Sequence, residues 1–201
     1  NVYDYDVSVN DYMTSYTYFN VKVLSGKKAV GYIDIYDSFL STANIEYISK
    51  IELKFEVSKY NEEYIYESNP EMIFVTDAIT IKTNYYGLFE QPKFNATNLI
   101  FDENNIRIFA EEFYFDSMYS YLNLYIENNS SDKIVVRQKN ASINNYMITG
   151  YLESAVVPGK MAIEALKFPT SDLENTGIDK IEHIELVFRI YNYTDESTYE
   201  S

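Results

Sequence analysis

One histidine, thirty-one carboxylates and no cysteine bound the chemistry open to this chain. His183 is the only imidazole, so any Ser-His-Asp arrangement has to pass through it, yet no Gly-x-Ser-x-Gly turn occurs. Its place just before the alternating stretch 184–190 reads as a strand-edge residue, and Lys50 stands at the corresponding point of an earlier stretch. Paired carboxylates about 5–10 Å apart hydrolyse glycosides without histidine. Glu111-Glu112, set between Phe109 and Phe113-Tyr114, has the most apolar surroundings, where desolvation raises a carboxyl pKa. On a strand, neighbouring side chains point to opposite faces, so one of these two faces outward. Asp102-Glu103-Asn104-Asn105 and Asp195-Glu196 are oxygen-rich turns of the kind that hold calcium. Neither follows Asp-x-Asp-x-Asp-Gly, and hairpin turns select Asp and Asn for backbone reasons. Six glycines form no phosphate cradle. The expectation is a non-enzymatic chain without cofactor or metal. A carboxylate-dependent glycosidase is the enzymatic alternative.

Twenty-two tyrosines offer a different chemistry, that of contact. Exposed tyrosine gives amphipathic area at low entropic cost, which suits recognition of carbohydrate or protein. Tyr60, Tyr64 and Tyr66 alternate, Tyr114, Tyr119 and Tyr121 cluster, and Tyr85, Tyr86 and Phe89 sit in a turn-rich stretch. The last three are the binding candidates. Tyrosine is also a good strand residue, so composition alone accounts for many of these positions. Five Asn-x-Ser/Thr sequons start at Asn95, Asn128, Asn129, Asn140 and Asn192; an Asn-rich chain yields about three by chance, so they do not imply glycosylation.

The elements that position these residues read as strands. Ile, Val, Tyr and Phe are abundant, while Ala, Leu and Arg are sparse, a balance that fits pleated sheet better than helix. A net charge of −15 opposes binding to phosphate backbones and to anionic membrane surfaces. No apolar run approaches the roughly 20 residues of a membrane-spanning helix, and the first residues do not read as a signal peptide.

Self-similarity organises the chain. Ser8-Val9-Asn10-Asp11-Tyr12-Met13 recurs as Ser142-Ile143-Asn144-Asn145-Tyr146-Met147, and Gly26-Lys27-Lys28-Ala29 as Gly159-Lys160-Met161-Ala162. From Ser38 to Phe55 the register holds without a gap: Leu40, Ile45, Ile51, Glu52 and Leu53 reappear as Leu173, Ile178, Ile184, Glu185 and Leu186. Duplication is the expectation. At a period of about 133, the first copy lacks counterparts of 99–141 and the second those of 72–83. Two lobes are expected, 1–90 and 91–201, in preference to one sandwich completed by both copies.

Strict alternation at 51–57, matched at 184–190 with one apolar exception, marks strands with one buried and one wet face. Further strands are expected at 16–24, 28–36, 72–83, 106–113, 121–127, 133–138 and 161–168. One short helix recurs: Thr170 or Ser171 is placed to cap it, Gly177 to end it, with Asp37 or Ser38 and Asn44 in those roles in the first copy.

The segment 122–136, with its Asn128-Asn129-Ser130-Ser131-Asp132-Lys133 turn, resembles a hairpin common in immunoglobulin-like domains of bacterial surface proteins and lipoproteins. The following 142–147 and Pro158-Gly159-Lys160 resemble later landmarks of such domains in exported proteins of Gram-positive bacteria. The resemblance implies two immunoglobulin-like antiparallel β-sandwich repeats, a secreted or cell-surface location, and an adhesion, interaction or spacer role toward a surface protein or glycan. It carries over no catalytic residue, and the Cys…Trp…Cys core of antibody domains is absent.

Overall fold

Two consecutive asparagine-type residues with positive φ set the first hairpin. Asn10 (φ 48°) and Asp11 (φ 72°) make the tight turn whose twist matches that of paired strands. The computed structural model describes residues 2–14, 17–59, 72–95 and 97–193, mostly as antiparallel β-structure with two short helices. The chain folds into two compact units, Asn1–Lys93 and Phe94–Ser201.

In the first unit, β1 (Val2–Val9) turns through Asn10-Asp11 into β2 (Tyr12–Met13). Two short strands follow, β3 (Thr17–Tyr18) and β4 (Asn20–Val21). Then come β5 (Asp34–Ile35), α1 (Asp37–Thr42) and β6 (Lys50–Ser58). The unit closes with β7 (Met72–Val75) and β8 (Ile79–Lys82). β6 is the centre: β1 lies along one edge, while β8 pairs with its first half and β7 with its end on the other. Val7, Val9, Tyr12, Phe39, Ile45 and Leu53 are buried. Each such side chain contributes about 1.5–3 kcal/mol of transfer free energy.

The second unit opens with β9 (Asn98–Glu103), β10 (Ile106–Phe115) and β11 (Tyr119–Asn128). Next are β12 (Ile134–Ile143), β13 (Tyr146–Ile148), β14 (Glu153–Val156) and β15 (Lys160–Pro169). α2 (Thr170–Asn175) leads to β16 (Ile184–Asn192). Within this unit one sheet runs β9-β10-β11-β15. In the other, β12 is flanked by β13 and β14 on one edge and β16 on the other. Ile108, Leu124, Ile126, Leu166 and Phe168 of the first sheet are buried, as are Ile134, Val136, Ile143 and Val156 of the second.

The residues that correspond in sequence occupy corresponding register positions. Ser8 pairs with Glu52 and Val9 with Ile51; Ser142 pairs with Glu185 and Ile143 with Ile184. Farther along, Val2 pairs with Val57 and Val136 with Ile190, and both ladders carry an irregularity between these points. The Asn10 side chain accepts from the backbone N–H groups of Ser49 and Lys50 and donates to Tyr47 O. Asn144 accepts from those of Glu182 and His183 and donates to Lys180 O. Both helices end alike. Ile45 N–H reaches Leu40 O and Asn44 N–H reaches Ser41 O; Ile178 reaches Leu173 and Gly177 reaches Glu174. Asn44 (φ 50°) and Gly177 (φ 71°) supply the left-handed residue this closure requires.

The N-terminal caps differ from expectation. Asp37 and Thr170 are the first helical residues, Tyr36 and Pro169 hold the cap positions, and neither makes a side-chain cap bond. Thr170 is drawn away by the sheet: its N–H donates to Met118 O and its hydroxyl lies 3.3 Å from Asp116 O and from Ser120 Oγ. The expected strand at 28–36 shrinks to Asp34–Ile35, and that at 16–24 to β3 and β4. In the second unit the matching 161–168 lies in β15, paired with β11 along its whole length. The first unit has no counterpart of β11 among the described residues, and a strand without a partner has no ladder to fix it. Sequence reading also missed β1, β2, β9, β13 and β14, and it read β7 and β8 as one strand.

Candidate functional site

Aromatic side chains gather on the turn segment that follows β8. Thr83 anchors it: its hydroxyl donates to Ile48 O, its N–H donates to Ser49 O at 3.1 Å, and its Oγ1 accepts from Tyr85 N–H. Gly87 (φ 76°) permits the tight reversal that returns Leu88 and Phe89 N–H to Tyr85 O. The Tyr47 ring then lies 4.6 Å from Tyr85 and 5.3 Å, edge-on, from Phe89. Lys82 Nζ sits 4.1 Å over the Tyr86 ring. Gln91 ties the end of the segment down, donating to Ala43 O and Asn44 O and accepting from the Asn10 amide. Tyr85 and Tyr86 are nearly half exposed and Leu88 is 84% exposed. The structure thus brings the Tyr85 and Phe89 rings together on Tyr47, while Tyr86 meets Lys82 and Leu88 stands exposed on the same turn segment. Tyr47 escaped notice because it joins the group only through the fold, far before Tyr85 in the chain. The Tyr47 hydroxyl is held above its ordinary pKa by its hydrogen bond to Glu46 and that carboxylate's charge.

The other tyrosine clusters serve differently. Tyr114 and Tyr121 stack at 4.8 Å and 12°, so each covers one face of the other, and Tyr119 meets Tyr121 edge-on at 6.2 Å. The Tyr121 hydroxyl donates to Asp116, whose other oxygen accepts the N–H groups of Met118 and Tyr119. These bonds, the backbone ones foremost, hold the Asp116 carboxyl below its usual range. The cluster staples the β10–β11 turn. Tyr60, Tyr64 and Tyr66 lie outside the described residues, as do Asp195 and Glu196.

His183 is exposed, with Nε2 3.5 Å from Glu185 Oε1. Ser142 Oγ donates to the other Glu185 oxygen at 2.7 Å. The carboxylate therefore stands between serine and histidine, whereas base catalysis of serine attack needs histidine in the middle. The Ser142 hydroxyl, more than His183, holds the Glu185 carboxyl below its usual range. Lys50 and Glu52, 2.9 Å apart, form the corresponding pair in the first unit.

Glu111 and Glu112 fall in a bulge, where the β10–β11 register shifts between Ala110 and Phe113. Glu112 is exposed, while Glu111 Oε1 is buried without a hydrogen-bond partner. Glu111 lines a cavity of about 680 Å³ inside the second unit, among Ile100, Phe101, Phe113, Leu122, Leu186 and Phe188. Among the described residues no second carboxylate lines it. Asp102 of the proposed calcium-type turn lies 3.9 Å from Arg107, and Asn104 and Asn105 take positive φ to close the β9–β10 hairpin.

Sequence reading missed Glu164. Burial and desolvation raise its carboxyl from the ordinary 4.5 to about 7, against the opposing pull of Lys167. With Arg137, Glu153 and Lys167 it lines a second cavity of about 390 Å³ in the second unit, where Glu153 is held by Arg137 at 2.8 Å. The signal was present: period 2 puts Glu164 on the same face as Ala162, Leu166 and Phe168, all buried. No known protein family, curated protein or solved structure matches the chain.

Proposed function

We propose that the chain is a non-enzymatic interaction and spacer module of the cell surface or extracellular space, built from two copies of one immunoglobulin-like β-sandwich unit. The observation that carries the two-copy reading is the repeated ladder, with Val9 opposite Ile51 and Ile143 opposite Ile184, each closed by the same asparagine network. The contact surface is the patch of Tyr47, Tyr85, Tyr86 and Leu88, where aromatic and aliphatic area stands open beside Lys82. A protein or glycan partner fits such a surface, since rigid rings add contact area at low entropic cost. Carboxylate catalysis has the weaker support: among the described residues the only carboxylate lining the larger cavity is Glu111, and Glu153 in the smaller one is neutralised by Arg137.

Arrays of glycans and of surface proteins, probed with labelled chain, test this. Saturable binding that falls at least tenfold in the double variant Tyr85→Ala/Tyr86→Ala, with an unchanged melting temperature, is the expected result; which array responds identifies the partner class. Turnover of a chromogenic glycoside that disappears in Glu164→Gln or Glu111→Gln defeats the non-enzymatic reading.

A further inference from the structure

The two corresponding strands β6 and β16 differ in what lies along their second edge. β6 is covered there by β8, with Lys50 opposite Lys82, Ile51 opposite Ile81, Glu52 opposite Thr80 and Leu53 opposite Ile79. Among the described residues, β16 pairs with β12 alone. His183, at its start, with Ile184, Glu185 and Leu186 corresponds in sequence to the four β8-paired positions of β6. Ile184, Leu186 and Phe188 of β16 also line the 680 Å³ cavity, so the open edge and the apolar hollow adjoin. In an antiparallel pair, residues directly opposite one another project from the same face of the sheet. Side chains placed opposite Ile184 and Leu186 therefore enter on the cavity side.

We infer that the free edge of β16 is a docking site for an extended peptide strand of the β8 type, adding antiparallel to 183–186. Two aliphatic side chains, spaced as Ile79 and Ile81 are, fill the space beside Ile184 and Leu186, and a polar residue stands opposite Glu185. Backbone hydrogen bonds to the unpaired edge supply affinity, and the aliphatic spacing supplies selectivity. The pairing pattern of the occupant is read from β8, which covers this edge in the first unit with Ile79 and Ile81 about two-fifths exposed. The inference rests on the two-copy reading proposed above.

The test uses the whole chain and a synthetic, end-blocked, fluorescent peptide spanning residues 76–84. Anisotropy should show saturable binding of one peptide per chain, weakened roughly a hundredfold when Ile79 and Ile81 of the peptide are changed to Ser. The absence of native cysteine makes register directly readable. A Glu185→Cys chain should form a disulfide with a peptide carrying Cys in place of Thr80, and about tenfold less with Cys at either neighbouring position, because only directly opposite residues bring their Cβ atoms within reach. Failure to saturate, indifference to the Ser changes, a disulfide formed equally at all three positions, or preferential trapping by Glu52→Cys instead would each overturn the inference. Destabilisation by both Asn10→Ala and Asn144→Ala alongside a silent peptide would remove the strand site and leave the two-copy reading standing.

Discussion

Asn10 shows how much structure one side chain can fix. Its carboxamide accepts from Ser49 and Lys50, donates to Tyr47 and Gln91, and its own N–H donates to Lys50 O at 2.9 Å. Replacing it with Ala orphans several of these groups and puts a Cβ without local hydrogen bonding at φ 48°. A loss of about 2–3 kcal/mol is expected for Asn10→Ala, and about 1–2 kcal/mol for the more exposed Asn144→Ala. Hydrogen exchange of the amides of β6 and β16 measures the two locally. Glu164 gives a prediction of opposite sense. Its folded pKa of about 7 exceeds the ordinary 4.5, so between these values the folded chain holds a proton that the unfolded chain has released. Stability conferred by the neutral form is complete below about pH 4.5 and is lost as pH rises through 7. Glu164→Gln should therefore leave the melting temperature unchanged at pH 4 and raise stability at pH 8 by up to about 3 kcal/mol. A variant equally stabilised at both pH values would show that packing, not ionisation, governs the site. Both residues were visible in the sequence, Asn10 through its recurrence and Glu164 through alternation. Only the fold revealed that one is a hub and the other a half-buried acid with a desolvated carboxyl.

At the scale of elements, alternation located β6 and β16 but passed over β1, β9, β13 and β14, although these too pair within the chain. β6 and β16 come out within one or two residues of expectation; β16 alternates half-buried and exposed residues, whereas β6, paired along both edges, has none exposed. The segment 28–36 was misread for an equally physical reason. Its composition is that of β15, but propensity cannot make a strand where no partner supplies a ladder. Ala162 is buried, whereas the corresponding Ala29 is exposed, as are Val30 and Tyr32. Backbone amides at 28–33 should then exchange with solvent on the order of a thousandfold faster than those at 161–166, a contrast that hydrogen exchange with mass analysis resolves. Equal protection would mean that 28–33 is paired in solution. The aromatic patch was legible only in part. Tyr85, Tyr86 and Phe89 announce themselves by proximity to Gly87 and Pro92, but Tyr47 reaches them through the hydrogen bonds of Thr83 to Ile48 and Ser49.

At the scale of the whole molecule, charge sets the balance between two effects of salt. Thirty-one acids face sixteen bases, and several bases are already committed: Lys50 lies 2.7 Å from Asp11 and 2.9 Å from Glu52, Arg107 3.0 Å from Glu127, and Arg137 2.8 Å from Glu153. Salt weakens these pairs, but exposed pairs contribute only about 0–1 kcal/mol each, and at least one partner in each is a fifth or more exposed. The uncompensated charge of −15 repels itself throughout the compact state, and shortening the screening length from about 10 Å at 0.1 M salt to about 3 Å at 1 M relieves most of that repulsion. Repulsion outweighs the pairs, so the melting temperature should rise with sodium chloride between about 0.05 and about 0.5 M at pH 8, where Glu164 is also ionised. The rise should shrink at about pH 4.5, where part of the carboxylate charge is gone in both states. A melting temperature that falls with salt at pH 8 would reverse the ranking and make the ion pairs around Lys50, Arg107 and Arg137 the dominant electrostatic feature of the fold.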